Sequence, residues 1–123
     1  MPDSKTHVAT DPGELDAILL NLITNAVYWL GEVPKDGREL EFRLMPINEG
    51  ARVRVWVHDT GPGIDKRVVD KVFWPGVTRK PNGIGMGLTV ASELVAEYGG
   101  CMTTKYPGTR GGASFAFDLP LKN

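Results

Sequence analysis

The run Val57-His58-Asp59-Thr60-Gly61-Pro62-Gly63-Ile64 constrains the chain more than any other stretch. Before it, Val53, Val55 and Val57 alternate with Arg52, Arg54, Trp56 and His58, the two-residue period of a strand with one apolar face. Asp59 continues the apolar series. The phase therefore aims a carboxylate along the core face, where an unpaired charge is costly, just as Gly61 and Gly63 break the strand into a turn. Two readings follow: Asp59 caps the turn through its own backbone, or it is a buried acceptor awaiting a ligand's donor. By the same alternation His58 belongs on the solvated face as a surface residue.

Upstream, Asp11-Pro12-Gly13-Glu14 starts a helix: Asp as N-cap, Pro at the first helical position, Glu three residues after the cap. The helix runs to about Leu30, with Leu15, Ile18, Leu19, Leu22, Ala26 and Trp29 as its packing stripe and Gly31 beyond its end. Asn21 and Asn25 sit on the border of that stripe, one turn apart on one face. Asn is a poor helix-interior residue, so both amides need partners. They bond neighbouring loops, or as neutral oxygen donors they hold a hydrated Mg²⁺ together with substrate phosphates.

Leu40, Phe42 and Leu44 alternate with Glu41 and Arg43, and residues 51–59 answer them across Pro46-Ile47-Asn48-Glu49-Gly50, which predicts a hairpin with one wet face. Residues 65–73 carry Val68, Val69 and Val72 at the spacing of a short helix. Residues 73–82 form a Pro- and Gly-containing connection with Thr78, Arg79 and Lys80. It leads into Gly83-Ile84-Gly85-Met86-Gly87-Leu88 and a helix with the stripe Leu88, Val90, Ala91, Leu94, Val95 and Tyr98, stopped by Gly99-Gly100. Glycines that open a helix let backbone N–H groups converge on an anion, which the helix dipole also favours. A dinucleotide fold would place a strand before them, and a Walker loop would place a lysine after the last glycine; neither is present. A second hairpin closes the chain, with Ala113, Phe115, Phe117 and Leu119 on one face of its last strand.

The predicted fold class is thus α+β: a two-layer sandwich, with a mixed, mostly antiparallel sheet covered by helices on one face. One domain fills residues 11–120, between a leader of residues 1–10 and a tail of residues 121–123. The 123 residues suffice for a real core, and a net charge of -1 offers no basic field for nucleic acid or anionic lipid. No apolar run approaches the roughly 20 residues of a membrane span. The single Cys101 and the lack of a signal-peptide pattern fit a reducing cytoplasmic setting.

Three segments in order, Asn21-Leu-Ile-Thr-Asn25, Asp59-Thr-Gly61-Pro-Gly63 and Gly83-Ile-Gly85-Met-Gly87-Leu88, together resemble the ATP-binding domain of the gyrase, Hsp90, histidine kinase and MutL superfamily. Residues 72–80 resemble the phenylalanine box and short lid of sensor histidine kinases, and Gly112-Ala113-Ser114-Phe115 resembles the closing glycine box. The resemblance implies ATP and Mg²⁺ as cofactors. Asn25, helped by Asn21, would hold the metal, and Asn21, Asn25 and Lys80 would form the catalytic set. Asp59 would accept the adenine amino hydrogen beside Gly61, Gly63 and Ile64. Thr78, Lys80, Gly83, Gly85, Met86, Gly87 and Leu88 would meet the phosphates, and Ser114 would lie beside the nucleotide.

Gyrase-like members carry a Glu four residues before the magnesium asparagine, where it serves as general base; this chain has Asn21 there, which favours the kinase branch. The function implied is the catalytic domain of a two-component sensor histidine kinase. Its γ-phosphate would pass to a histidine on a separate dimerisation domain and then to a response regulator receiver domain. The domain alone is expected to be a monomer without nucleic-acid or membrane contacts. Tyr28, Gly76 and Ala113 depart from the family pattern, and the alternative reading is a nucleotide-sensing or protein-interaction module of the same fold.

Overall fold

The computed structural model describes residues 7–31, 33–63, 87–105 and 107–122, without the side chain of Trp29. The elements are α1 (Pro12–Leu30), β1 (Leu40–Ile47), β2 (Arg52–Asp59), α2 (Gly87–Glu97), β3 (Met102–Lys105) and β4 (Ser114–Pro120). The short helix expected at residues 65–73 and the connection at 73–82 lie outside the described residues.

The strands form one sheet in the order β1-β2-β4-β3, every described pairing antiparallel. In this register Val57 faces Phe115, Val55 faces Phe117 and Val53 faces Leu119, so one sheet face is a continuous apolar surface. Ile18 and Leu22 of α1 and Ala91 and Val95 of α2 pack into it. The Ile, Leu and Val side chains among them, once fully buried, contribute roughly 1.5–3 kcal/mol each. This layer of two helices on one face is the predicted sandwich.

The α1 start departs from the expected capping box in one detail. The Glu14 amide donates to Asp11 Oδ2 at 3.0 Å, as an N-cap requires. Glu14, however, does not return the bond to the Asp11 amide. Tyr98 takes that place: its hydroxyl accepts the Asp11 N–H at 2.9 Å and donates to Glu14 Oε1 at 2.6 Å. One phenol thereby ties the start of α1 to the end of α2. At that end Gly99, with φ of 76°, donates to the Ala96 carbonyl and Gly100 donates to the Val95 carbonyl, the double bond of a Schellman stop.

Two apolar expectations fail by position. Phe42 and Leu44 do lie on the helix-facing side of β1, opposite Val57 and Val55, yet they are 41% and 50% exposed. The described helices pack over β2, β4 and β3, so the edge strand lies beyond their cover. Val90, placed in the α2 stripe, is likewise exposed, whereas Ala91 and Val95 beside it are fully buried.

Candidate functional site

Asp59 ends β2 and is 4% exposed. Its backbone N–H donates to the Ala113 carbonyl at 3.0 Å. Its Oδ1 accepts two amides, Gly61 N at 2.9 Å and Ala113 N at 3.0 Å. The capping reading is thus met by one oxygen alone. Oδ2 accepts no hydrogen bond among the described residues.

Next to the turns that hold Asp59 lies a cavity of about 170 Å³, lined by Pro62, Gly63, Lys105, Pro107, Gly108, Gly111, Gly112 and Ala113; Asp59 meets it through Gly112 and Ala113 and does not line it. All four lining glycines sit where a side chain is excluded, and Gly63 and Gly112 show the two reasons. Gly63 has φ of 83°, a conformation L side chains avoid. A Cβ on Gly112 would collide with the Asp59 carboxylate and backbone. The two turns that meet here are joined from outside as well: Arg110 pairs with Glu39 and Glu41, and the Glu39 N–H donates to Thr60 Oγ1 at 2.8 Å.

Asn21 and Asn25 are half-buried on α1, on either side of Leu22. Leu22 shares a cluster with Val57, two residues before Asp59, so the amide pair and the carboxylate rest on one piece of core. Neither amide side chain hydrogen-bonds any described residue. Two neutral amide oxygens one helical turn apart are a donor set that fits a largely hydrated Mg²⁺. Gly87 opens α2, and Leu88 packs at the margin of the core, which sets the amide end of α2 over the same layer. Ile64, Thr78, Lys80, Gly83, Gly85 and Met86 lie outside the described residues.

One residue, His58, overturns the sequence reading. Its register partner is Ser114, and the two share the sheet face opposite Asp59. Ser114 Oγ lies 2.7 Å from His58 Nδ1 and accepts the Thr109 N–H at 3.0 Å. His58, expected on the surface, is 4% exposed and stacks on Trp56 with ring centroids 5.4 Å apart. Burial holds its imidazole below the ordinary value of 6.5; Glu41 and Asp59 oppose that shift, and Arg43 and Lys105 add to it. Alternation gives the face of a strand residue, not whether neighbours cover it. Lys105, missed as a lining residue, is visible in sequence only as part of the last hairpin, whereas Gly112 carries the signal of the closing glycine box.

Known proteins resemble the chain over nearly all its length. It is 32% identical to the sensor protein TdiS of Thauera aromatica, over 88% of this chain and 20% of that protein. It is also 32% identical to the sensory histidine kinase/phosphatase NtrB of Escherichia coli O157:H7, over 97% of this chain and 35% of that protein. The chain thus spans about a fifth to about a third of the length of these relatives. Among solved structures, the mycobacterial sensor histidine kinase MprB superposes with a TM-score of 0.78 at 25% identity, covering 94% of this chain and 77% of that one. Full-length ShkA in complex with AMPPNP superposes with a TM-score of 0.76 at 30% identity, covering 97% of this chain and 24% of that one. Residues 10–123 match the family described as histidine kinase-, DNA gyrase B- and HSP90-like ATPase, and with a buried carboxylate at a glycine turn beneath two helices the chain belongs to that family.

Proposed function

We propose that this chain is the Mg-ATP-binding catalytic domain of a sensor histidine kinase, the donor half of a phosphotransfer system. The observation that carries the reading is Asp59: a carboxylate held rigidly by two amides through Oδ1, with Oδ2 left for a ligand. Adenine offers a matching N–H donor, and the glycine-lined cavity lets a flat ring approach backbone. Gly61, Gly63 and Ile64 border that ring. The phosphates fall to Thr78, Lys80 and the amide-bearing segment Gly83, Gly85, Met86, Gly87 and Leu88. Asn25 and Asn21 hold Mg²⁺, whose charge offsets that of the phosphates. Ser114, which follows the cavity-lining Ala113, lies beside the nucleotide with its hydroxyl held by His58.

Phosphoryl transfer needs positioning and charge neutralisation more than a protein base. Asn21 cannot take a proton, so it cannot activate water for hydrolysis at that position of α1. The acceptor is therefore a histidine on a helical dimerisation domain, and a receiver domain takes the phosphoryl group from it. A cytoplasmic setting is consistent with the ATP supply, and no described helix is long and apolar enough to cross a membrane.

The test is phosphotransfer in trans, with γ-labelled ATP, this chain and a dimerisation domain of the parent kinase. Label is expected on histidine, dependent on both proteins and abolished by EDTA. Robust ATP hydrolysis by this chain alone, or label transfer insensitive to EDTA, would contradict the proposal.

A further inference from the structure

The last two side chains of β2 project to opposite faces yet hold adjacent residues where the chain enters β4. Asp59 exchanges hydrogen bonds with the Ala113 peptide, and His58 bonds the Ser114 hydroxyl. Ser114 also accepts the Thr109 N–H, so its hydroxyl pins the 107–112 turn that supplies Gly111 and Gly112 to the cavity. Thr104 Oγ1 donates to the Ser114 carbonyl at 2.9 Å and secures the same residue from β3.

The Ser114 hydroxyl has one hydrogen and two lone pairs, one of them taken by the Thr109 amide. Donation of that hydrogen to Nδ1 gives it an acceptor among the described residues, and His58 is then neutral with its own hydrogen on Nε2; an Nδ1–H ring would instead occupy the second lone pair. Protonation reverses the polarity: Nδ1–H must donate, and the Ser114 hydrogen loses its acceptor at a fully buried position. The charged groups facing the ring are Glu41 and Arg43 from β1, Lys105 from β3, and Asp59 beside it on β2. Two acids and two bases leave no strong net field, and burial decides for the neutral ring.

We infer that His58 is a positioning residue for the nucleotide site: its neutral ring, through Ser114, seats the 107–112 turn and the Ala113 amide against the Asp59 carboxylate, and its protonation loosens them and weakens nucleotide binding. This rests on the reading of Asp59 as the adenine acceptor. The neutral ring is favoured in the folded protein, so the loss falls below about pH 6.5, the ordinary value for histidine.

The experiment is calorimetric titration of the chain with a non-hydrolysable ATP analogue and Mg²⁺ from about pH 7.5 to about pH 5.5, for wild type, His58→Asn and Ser114→Ala. Asn keeps an acceptor for the Ser114 hydroxyl without titrating, and titration of the analogue's own phosphates is common to all three proteins. Wild type is expected to lose about fivefold to tenfold more affinity over this range than His58→Asn. Ser114→Ala is expected to bind more weakly throughout, with the shallow slope of His58→Asn. Parallel slopes for wild type and His58→Asn overturn the inference while leaving the adenine reading intact, and no binding by wild type at neutral pH overturns both. A wild-type NMR titration serves if a variant does not fold. The Gly61 and Ala113 amide resonances should share the midpoint of the His58 ring, and independent midpoints overturn the inference.

Discussion

Asp59 and Gly112 show how closely single residues are matched at this site. The carboxylate is tolerated at 4% exposure because two amides neutralise part of its charge, and both depend on backbone that approaches without side chains. Gly112→Ala forces its methyl into the Asp59 carboxylate and backbone. It is expected to destabilise the chain by about 1–3 kcal/mol, the range of overpacking, and to lower nucleotide affinity, measurable by urea unfolding and calorimetry. The role of Asp59 is legible in the sequence because the alternation of Val53, Val55 and Val57 carries straight into it. The burial of His58 is not: two-residue periodicity assigns it correctly to the face away from the helices, but Trp56 and Ser114 cover that spot, and their contribution depends on register between strands distant in sequence.

At the scale of elements, local chemistry fixes the ends of the helices, and long-range polar contacts lock them together. The Asp11 cap and the glycine stop after α2 are written in adjacent residues, which is why both helix ends are readable from sequence. The phenol of Tyr98, which completes the Asp11 cap, is not readable, because it arrives from 87 residues away. Arg52 is the second such lock. Its Nε donates to Asp118 Oδ2 at 2.6 Å, its Nη2 donates to the Tyr98 carbonyl at 2.9 Å, and Asp118 Oδ1 accepts the Cys101 amide at 3.0 Å. Burial alone would raise the Asp118 carboxyl, but the Cys101 amide and Arg52 outweigh it and hold it below the ordinary 3.8. Since the folded value is the lower one, this stabilisation is complete above about pH 3.8 and is lost as pH falls through the folded value. Arg52→Ala is expected to cost roughly 1–3 kcal/mol near neutral pH, the range for losing hydrogen bonds to charged groups, with the deficit against wild type shrinking in acid. A deficit that stays constant down to pH about 2 would show that the pair is not its source. The exposed Phe42 and Leu44 mark the limit of element-level reading: alternation gives the face of β1, but the lateral reach of the helix layer is a property of the assembled sheet.

On the scale of the whole molecule, a four-stranded antiparallel sheet under two helices brings three separated segments onto one core: the amides of α1, the end of β2 and the start of α2. The order of these segments made the family legible before the fold was known, since each is weak alone and specific in combination. The connection bearing Thr78, Lys80 and the first glycines of the helix opening is legible only as composition, because its Pro and Gly content encodes a break and not a shape. In the proposed site the Asp59 oxygen that accepts no hydrogen bond among the described residues receives adenine. The most direct measurement is calorimetric titration of wild type and Asp59→Asn with a non-hydrolysable ATP analogue and Mg²⁺. Wild type is expected to bind in the micromolar range, about -8 kcal/mol, and the variant to lose at least about 1–3 kcal/mol of that, the cost of a disrupted buried polar contact. Equal affinity for the two folded proteins would contradict the claim.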